Sequence, residues 1–141
     1  MASSNVDTVR PLYEAWGRSD FRPSFDAYDD DMEWGWSDEF PGLAGVFRDT
    51  RDPNPRLRSW LSPWEEWQCV AEEYIELEDH VVVFAIYRGR GKDSGVPVDQ
   101  EGAHVLRIRN GKIVRLVIYA DRERALAAAR AAETTGGEVA G

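Results

Sequence analysis

The chain has little of what marks a secreted, membrane-spanning or nucleic-acid-binding protein. One cysteine, Cys69, among 141 residues excludes an internal disulfide framework and fits a reducing compartment. No apolar run approaches the roughly 20 residues needed to cross a bilayer. The opening MASSNVDTVRP also lacks the apolar segment of a secretory signal, so the expected location is cytoplasmic. Positive charge is scarce as well: 17 basic against 26 acidic residues leave a formal charge of −9, which argues against nucleic acid or an anionic membrane as partner. Only Lys92 and Lys112 are lysines, and with the alanine-rich C-terminus this arginine usage hints at a GC-rich bacterial genome. A glycine-rich phosphate loop, a Cys/His zinc spacing and a nucleophile elbow are all missing. Asp29–Asp31 and Glu72-Glu73 have no metal-loop spacing and read as a solvated acidic surface. Neither a metal nor a cofactor is expected.

What remains is a single domain with one core over residues 1–130 and a flexible tail over 131–141. Val6, Val9, Tyr13 and Trp16 recur at helical spacing and predict an amphipathic helix over 6–18, with Pro11 tolerated near its start. Asp20 then resembles an N-cap for a short second helix carrying Phe21, Phe25 and Tyr28, ended by the acidic run at 29–31. Met32–Trp36 reads as a short strand. Residues 37–55, with Pro41, Gly42, Gly45, Pro53 and Pro55, read as a long loop, and so long a loop in a compact domain is usually functional. Trp60, Trp64 and Trp67 fall at helical spacing and predict a helix restarted at Ser62-Pro63. Strands follow at 70–77, 81–90, 98–109 and 112–121, then a helix over 122–132. The order is α+β: N-terminal helices packed on a curved, mainly antiparallel sheet.

Asn110-Gly111 is a strong signal for a two-residue type I′ turn. It sets Arg109 opposite Lys112, so that partners sum to 221 and His104, Tyr119 and Asp121 share one face, with Gly102 opposite Tyr119. A β-bulge between His104 and Tyr119 would break this phase. Both faces of the sheet carry aliphatic side chains, and a homodimer through the sheet is the simplest cover for the second.

The stretches Tyr13–Asp20, Asp31–Trp34, Pro41–Arg48, Asp79–Gly91 and Gly102–Arg124 together resemble the nuclear transport factor 2-like superfamily. Within it the match is to the SnoaL-like (polyketide cyclase, ketosteroid isomerase-like) branch. The resemblance implies a cone-shaped barrel with a deep apolar pocket, usually a dimer, and catalysis without metal or cofactor. Ketosteroid isomerases of the superfamily pair a first-helix tyrosine with a protonated acid on the third long strand as an oxyanion hole, and a carboxylate after the first strand is the base. Tyr13 matches that tyrosine. His104, opening the stretch HVLR, stands where the acid would be. Around the base position lie Trp34, Gly35 and Trp36, with Asp38 nearby. SnoaL-like cyclases use an aspartate with a pocket histidine, for which Asp121 is the most comparable group. The water-activating Asp-Arg-Asp set of the hydrolase branch is not recognisable.

The candidate catalytic residues are therefore His104, Asp121, Tyr13 and Asp38. A histidine among Gly102, Leu106 and Ile108 is desolvated and neutral, suited to acid/base work or to polarising a carbonyl, or else it is a hydrogen-bonded core residue. Asp121 precedes a helix and serves equally as an N-cap; Asp38 serves equally as a surface charge. Six tryptophans are many for this length, and Trp16, Trp34, Trp36, Trp60 and Trp64, with Tyr119 and Gly102, are candidates to line a pocket for a hydrophobic or polycyclic small molecule. Two functions fit: a cofactor-independent isomerase or cyclase acting alpha to a carbonyl, or a non-catalytic small-molecule-binding domain. A protein-transport adaptor has only the fold in its favour.

Overall fold

The computed structural model describes residues 5–18, 28–40, 45–48 and 64–135. Its elements are α1 (Asn5–Gly17), β1 (Tyr28–Trp36), β2 (Gly45–Arg48), β3 (Trp64–Glu76), β4 (His80–Gly91), β5 (Pro97–Arg109), β6 (Lys112–Tyr119) and α2 (Arg122–Thr135). The strands form one open six-stranded sheet in the order β2-β1-β6-β5-β4-β3. β3 to β6 are the antiparallel meander expected from the sequence. β1 then joins β6 in parallel, which makes the sheet mixed.

Three expectations are corrected. The tryptophan repeat at 60, 64 and 67 is not a helix from Trp64 onward, because that stretch is the start of β3 and pairs with β4; Trp60 lies outside the described residues. Trp67, Cys69 and Ala71 also alternate with period two, and pairing with β4 selects that period over the helical one. The supposed loop at 37–55 contains β2, paired with β1. The acidic run at 29–31 does not end a helix but lies within β1; the helix expected from Asp20 falls outside the described residues up to Tyr28, the first residue of β1. α1 forms where expected, from Asn5, and Pro11 sits inside it and deprives one turn of a backbone donor.

Among the described residues, each face of the sheet carries one helix. α1 contributes Val9, Leu12, Tyr13 and Trp16 to a core with Trp34, Trp36, Trp67, Val81, Val83, Tyr87, Leu106 and Ile118. β3 holds this helix at both ends: Glu76 accepts from the Val6 backbone N–H at 2.8 Å, and Gln68 donates to the Gly17 carbonyl at 3.1 Å. α2 lays Ala125, Ala129 and Ala132 against Val82, Ala103, Val105, Val117 and Tyr119 on the opposite face. The uncovered second face that argued for a dimer is thus covered by the chain's own helix. α2 also runs to Thr135, so the expected flexible tail begins as helix, and Glu133 within it is bonded to His80.

The Asn110-Gly111 turn forms as expected, with φ of 54° and 73° at the two residues. Arg109 pairs Lys112 and Ile108 pairs Ile113, but then the register shifts, and Arg107 pairs Arg115. Val114 is the extra residue of a β-bulge. Beyond it His104 pairs Ile118 and Ala103 pairs Tyr119. The predicted common face of His104, Tyr119 and Asp121 is therefore broken.

Candidate functional site

His104 is 2% exposed and lies near the middle of the sheet on the α1 side. Strand alternation sets its neighbours on that face. In β4, Val83 is its direct partner, Ala85 is opposite Gly102, and Tyr87 is opposite Gln100. Tyr13 comes down from α1, and its hydroxyl lies 2.6 Å from His104 Nδ1. The Tyr87 hydroxyl lies 2.6 Å from His104 Nε2. Both ring nitrogens are thus engaged by phenols, and both phenols are buried.

Tyr87 reaches His104 by leaning over Gly102, its diagonal neighbour across the strand pair. A Cβ at Gly102 would stand 2.6 Å from the Tyr87 ring, closer than carbon atoms approach, so this reach needs a residue without a side chain. Gly102 opens space for Tyr87, then, and not for Tyr119 as the unbroken register implied. Trp67 stacks on the other side of Tyr87, with centroids 5.3 Å apart and planes at 18°. Trp16 meets the His104 ring edge-on at 6.0 Å, and Tyr74 meets Tyr13 edge-on at 6.1 Å.

Burial dominates the electrostatics. Desolvation drives the His104 pKa down to about 3, so the imidazole is neutral at physiological pH. The same cause pushes the Tyr87 hydroxyl well above its ordinary range, with nearby Cys69 adding to the rise, and pushes the Cys69 thiol far up. Neither Cys69 nor Tyr87 is a ready anion. The arrangement offers neutral hydrogen bonds in an aromatic shell: it can polarise or hold an uncharged oxygen, and it does not supply a strong base.

The other candidates lie elsewhere. Asp121 is exposed and caps α2, its carboxylate accepting from the Glu123 N–H at 2.9 Å. Asp38 is exposed and paired with Arg124 at 2.9 Å. Tyr119 is buried on the α2 side. Trp16, Trp34 and Trp36 are buried in the core on the His104 face. Trp64 is described only as the first residue of β3. Tyr87 is the member the sequence reading missed. Its position in VVVFAIY shares a face with Val81, Val83 and Ala85, but the loop between β4 and β5 carries no turn signature that would set the register to Gly102 and His104. Among the described residues no cluster of His, Cys, Asp and Glu could hold a metal ion.

Residues 9–116 match the SnoaL-like domain. Among solved structures, the chain is similar to an NTF2-like protein from Burkholderia thailandensis, with a TM-score of 0.71 and 23% identity over 92% of this chain and 98% of that one. TerC, co-crystallised with polyporic acid, has a TM-score of 0.71 and 21% identity over 86% of this chain and 95% of that one. IdmH from Streptomyces antibioticus, a candidate polyketide cyclase, has a TM-score of 0.67 and 19% identity over 89% of this chain and 97% of that one. At these identities the likeness shows the fold. No curated protein matches the sequence significantly.

Proposed function

The chain belongs to the SnoaL-like domain family, and on that premise we propose that it binds a small hydrophobic molecule against the α1 face of the sheet, with Tyr13, His104 and Tyr87 as the polar anchor. One observation carries this reading: a buried histidine bonded at both nitrogens by tyrosines, inside a shell of Trp16, Trp67 and Tyr74. Such a site suits an apolar ligand with a carbonyl or hydroxyl oxygen. The co-crystallisation of TerC with polyporic acid supports a small-molecule ligand for this fold.

The anchor supplies half of the chemistry needed for isomerisation or cyclisation alpha to a carbonyl. A phenol O–H donated to the carbonyl oxygen stabilises the enolate that forms when a carbon-bound proton leaves, and preorganised donors in a water-poor site are effective at this. The other half is a base. The two hydroxyls bonded to His104 are phenols, and Asp121 and Asp38 are engaged at the surface. That separation favours a second reading, binding without turnover.

Two measurements divide the readings. Quenching of tryptophan fluorescence by 1-indanone reports binding, and His104→Leu is expected to weaken it about tenfold, the worth of one lost hydrogen bond in a buried site. Equal binding by both proteins would contradict the proposed site. Proton–deuterium exchange alpha to the indanone carbonyl, followed by NMR, reports enolisation: exchange above the buffer rate supports an enzyme, and exchange at the buffer rate supports the binder.

A further inference from the structure

Tyrosine and tryptophan are the aromatic side chains that give up an electron most easily, and the shell around His104 is made of them. From half-buried Tyr74 inward, ring centroids follow one another at 6.1 Å to Tyr13, 5.6 Å to His104, 5.8 Å to Tyr87 and 5.3 Å to Trp67. Trp16 branches from Tyr13 at 5.0 Å. Rings at such spacings touch or nearly touch, and electrons pass between them.

What normally blocks the oxidation of a buried phenol is its proton. A phenol that has lost an electron is a strong acid, and an apolar core offers nothing to take the proton. Here the Tyr13 and Tyr87 hydroxyls each lie 2.6 Å from a ring nitrogen of His104. Desolvation holds the His104 pKa at about 3, so one nitrogen keeps its lone pair throughout the physiological range. An oxidised phenol is a far stronger acid than an imidazolium of that pKa, so the transfer runs downhill. The imidazolium formed has two N–H groups, and each has a phenol oxygen to accept it.

We propose that Tyr13, His104 and Tyr87 form a radical-holding site, which takes up one oxidising equivalent through Tyr74 from a one-electron oxidant at the surface. The electron leaves through Tyr74 and reduces the oxidant by one. In the phenol that donates to the imidazole, the O–H bond breaks and its proton joins the His104 lone pair. The products are a neutral tyrosyl radical and an imidazolium, hydrogen-bonded to each other. When an electron returns, the proton goes back, so no proton enters or leaves the core. This role needs no open hydroxyl and is independent of ligand binding.

The surroundings favour that direction. The Arg10 guanidinium lies 4.9 Å from the Tyr74 ring centre, and a cation over this ring makes positive charge on it costly, which drives the oxidising equivalent inward to Tyr13. The positive charge left in the core belongs to a chain of formal charge −9. Cys69, opposite Tyr87 in the strand pairing, does not compete as a thiolate, because burial pushes its thiol pKa far up.

The test is photo-oxidation of the full chain by ruthenium(III) tris-bipyridine, with the histidine rings labelled with heavy nitrogen. Electron paramagnetic resonance of the frozen product is expected to show a tyrosyl radical coupled to a histidine nitrogen. Its formation rate is expected to be independent of buffer concentration from neutral pH down to about pH 5, since the proton stays inside. Tyr13→Phe and Tyr87→Phe each leave one N–H of the imidazolium without its phenol acceptor. Each is expected to shorten the life of the radical at least about tenfold, the worth of one charge-assisted hydrogen bond. Tyr74→Phe is expected to slow formation of the same radical. A tyrosyl radical without nitrogen coupling, or one formed faster in stronger buffer, would overturn the proposal, and so would full lifetimes in both single variants. Unchanged formation in Tyr74→Phe would contradict entry through that residue.

Discussion

The two faces of the sheet are built from the same six strands and do different work. The α1 face is aromatic and neutral, with Tyr13, Trp16, Trp34, Trp36, Trp67 and Tyr87 around a buried histidine. The α2 face is small and aliphatic at its centre, where Ala125, Ala129 and Ala132 let the helix lie close to Val82, Val105 and Val117. Its fringe carries the charges: Arg115 with Glu33 at 2.7 Å, Arg122 with Glu72 at 2.5 Å, and His80 with Glu133. The large rings of one face meet His104 edge-on or through hydrogen bonds, while the face of alanines and valines closes on itself. The comparison teaches that ionic groups here tie α2 and neighbouring strands together at the edge of one face, and that the groups around His104 are joined by neutral hydrogen bonds.

The contrast can be broken from either side. The largest effect is expected from His104→Leu, which leaves two buried phenols without the partner they bond. A loss of about 3 kcal/mol in unfolding free energy, measured by urea titration, is expected together with about tenfold weaker indanone binding. Ala129→Leu overfills the α2 face and is expected to cost about 2 kcal/mol while leaving indanone binding unchanged; a parallel loss of binding would mean the faces are not independent. Glu133→Gln weakens the tie between the end of α2 and His80 and is expected to cost about 1 kcal/mol. Although burial acts on Glu133 in the opposite sense, its bonds to His80 and the Asp79 N–H leave the pKa lowered, so its contribution is present above the ordinary carboxylate range and is lost as pH falls through the lowered value. Stability in acid below the ordinary carboxylate range should therefore differ less between wild type and variant than at pH 7. Asp38→Asn removes an exposed ion pair and is expected to change stability by less than about 0.5 kcal/mol and indanone exchange not at all.

Much of this was legible in the chain because local chemistry decided it. Asn110-Gly111 announced its hairpin, and VVVFAIY announced a strand covered on both sides, which α1 and α2 now provide. The bulge at Val114 had no marker of its own, since Ile113 and Val114 are equally apolar. Arg115 was the available clue: an unbroken register puts it on the apolar face beside Leu106 and Ile108, whereas the bulge turns it to Glu33. The parallel pairing of β1 with β6 and the reach of Tyr87 over Gly102 were not legible, because both depend on how distant segments are brought together. His104 and Tyr13 were named from sequence, Tyr87 was missed, and Asp121 lies elsewhere as the cap of α2, so an expected acid/base pair gives way to a neutral hydrogen-bonded cluster.

The account stands most directly on the charge state of His104. A pH titration of its ring resonances by NMR in the folded protein tests this without any ligand. The folded pKa of about 3 lies below the ordinary value of 6.5, so the neutral form stabilises the fold above that ordinary value, and each pH unit below it removes on the order of 1 kcal/mol. The account predicts resonances that do not move between pH 8 and pH 5, with protonation arriving only as the protein unfolds in acid. A reversible midpoint near 6.5 in the folded state would contradict it, because a histidine that charges so readily is neither buried nor held between two phenols.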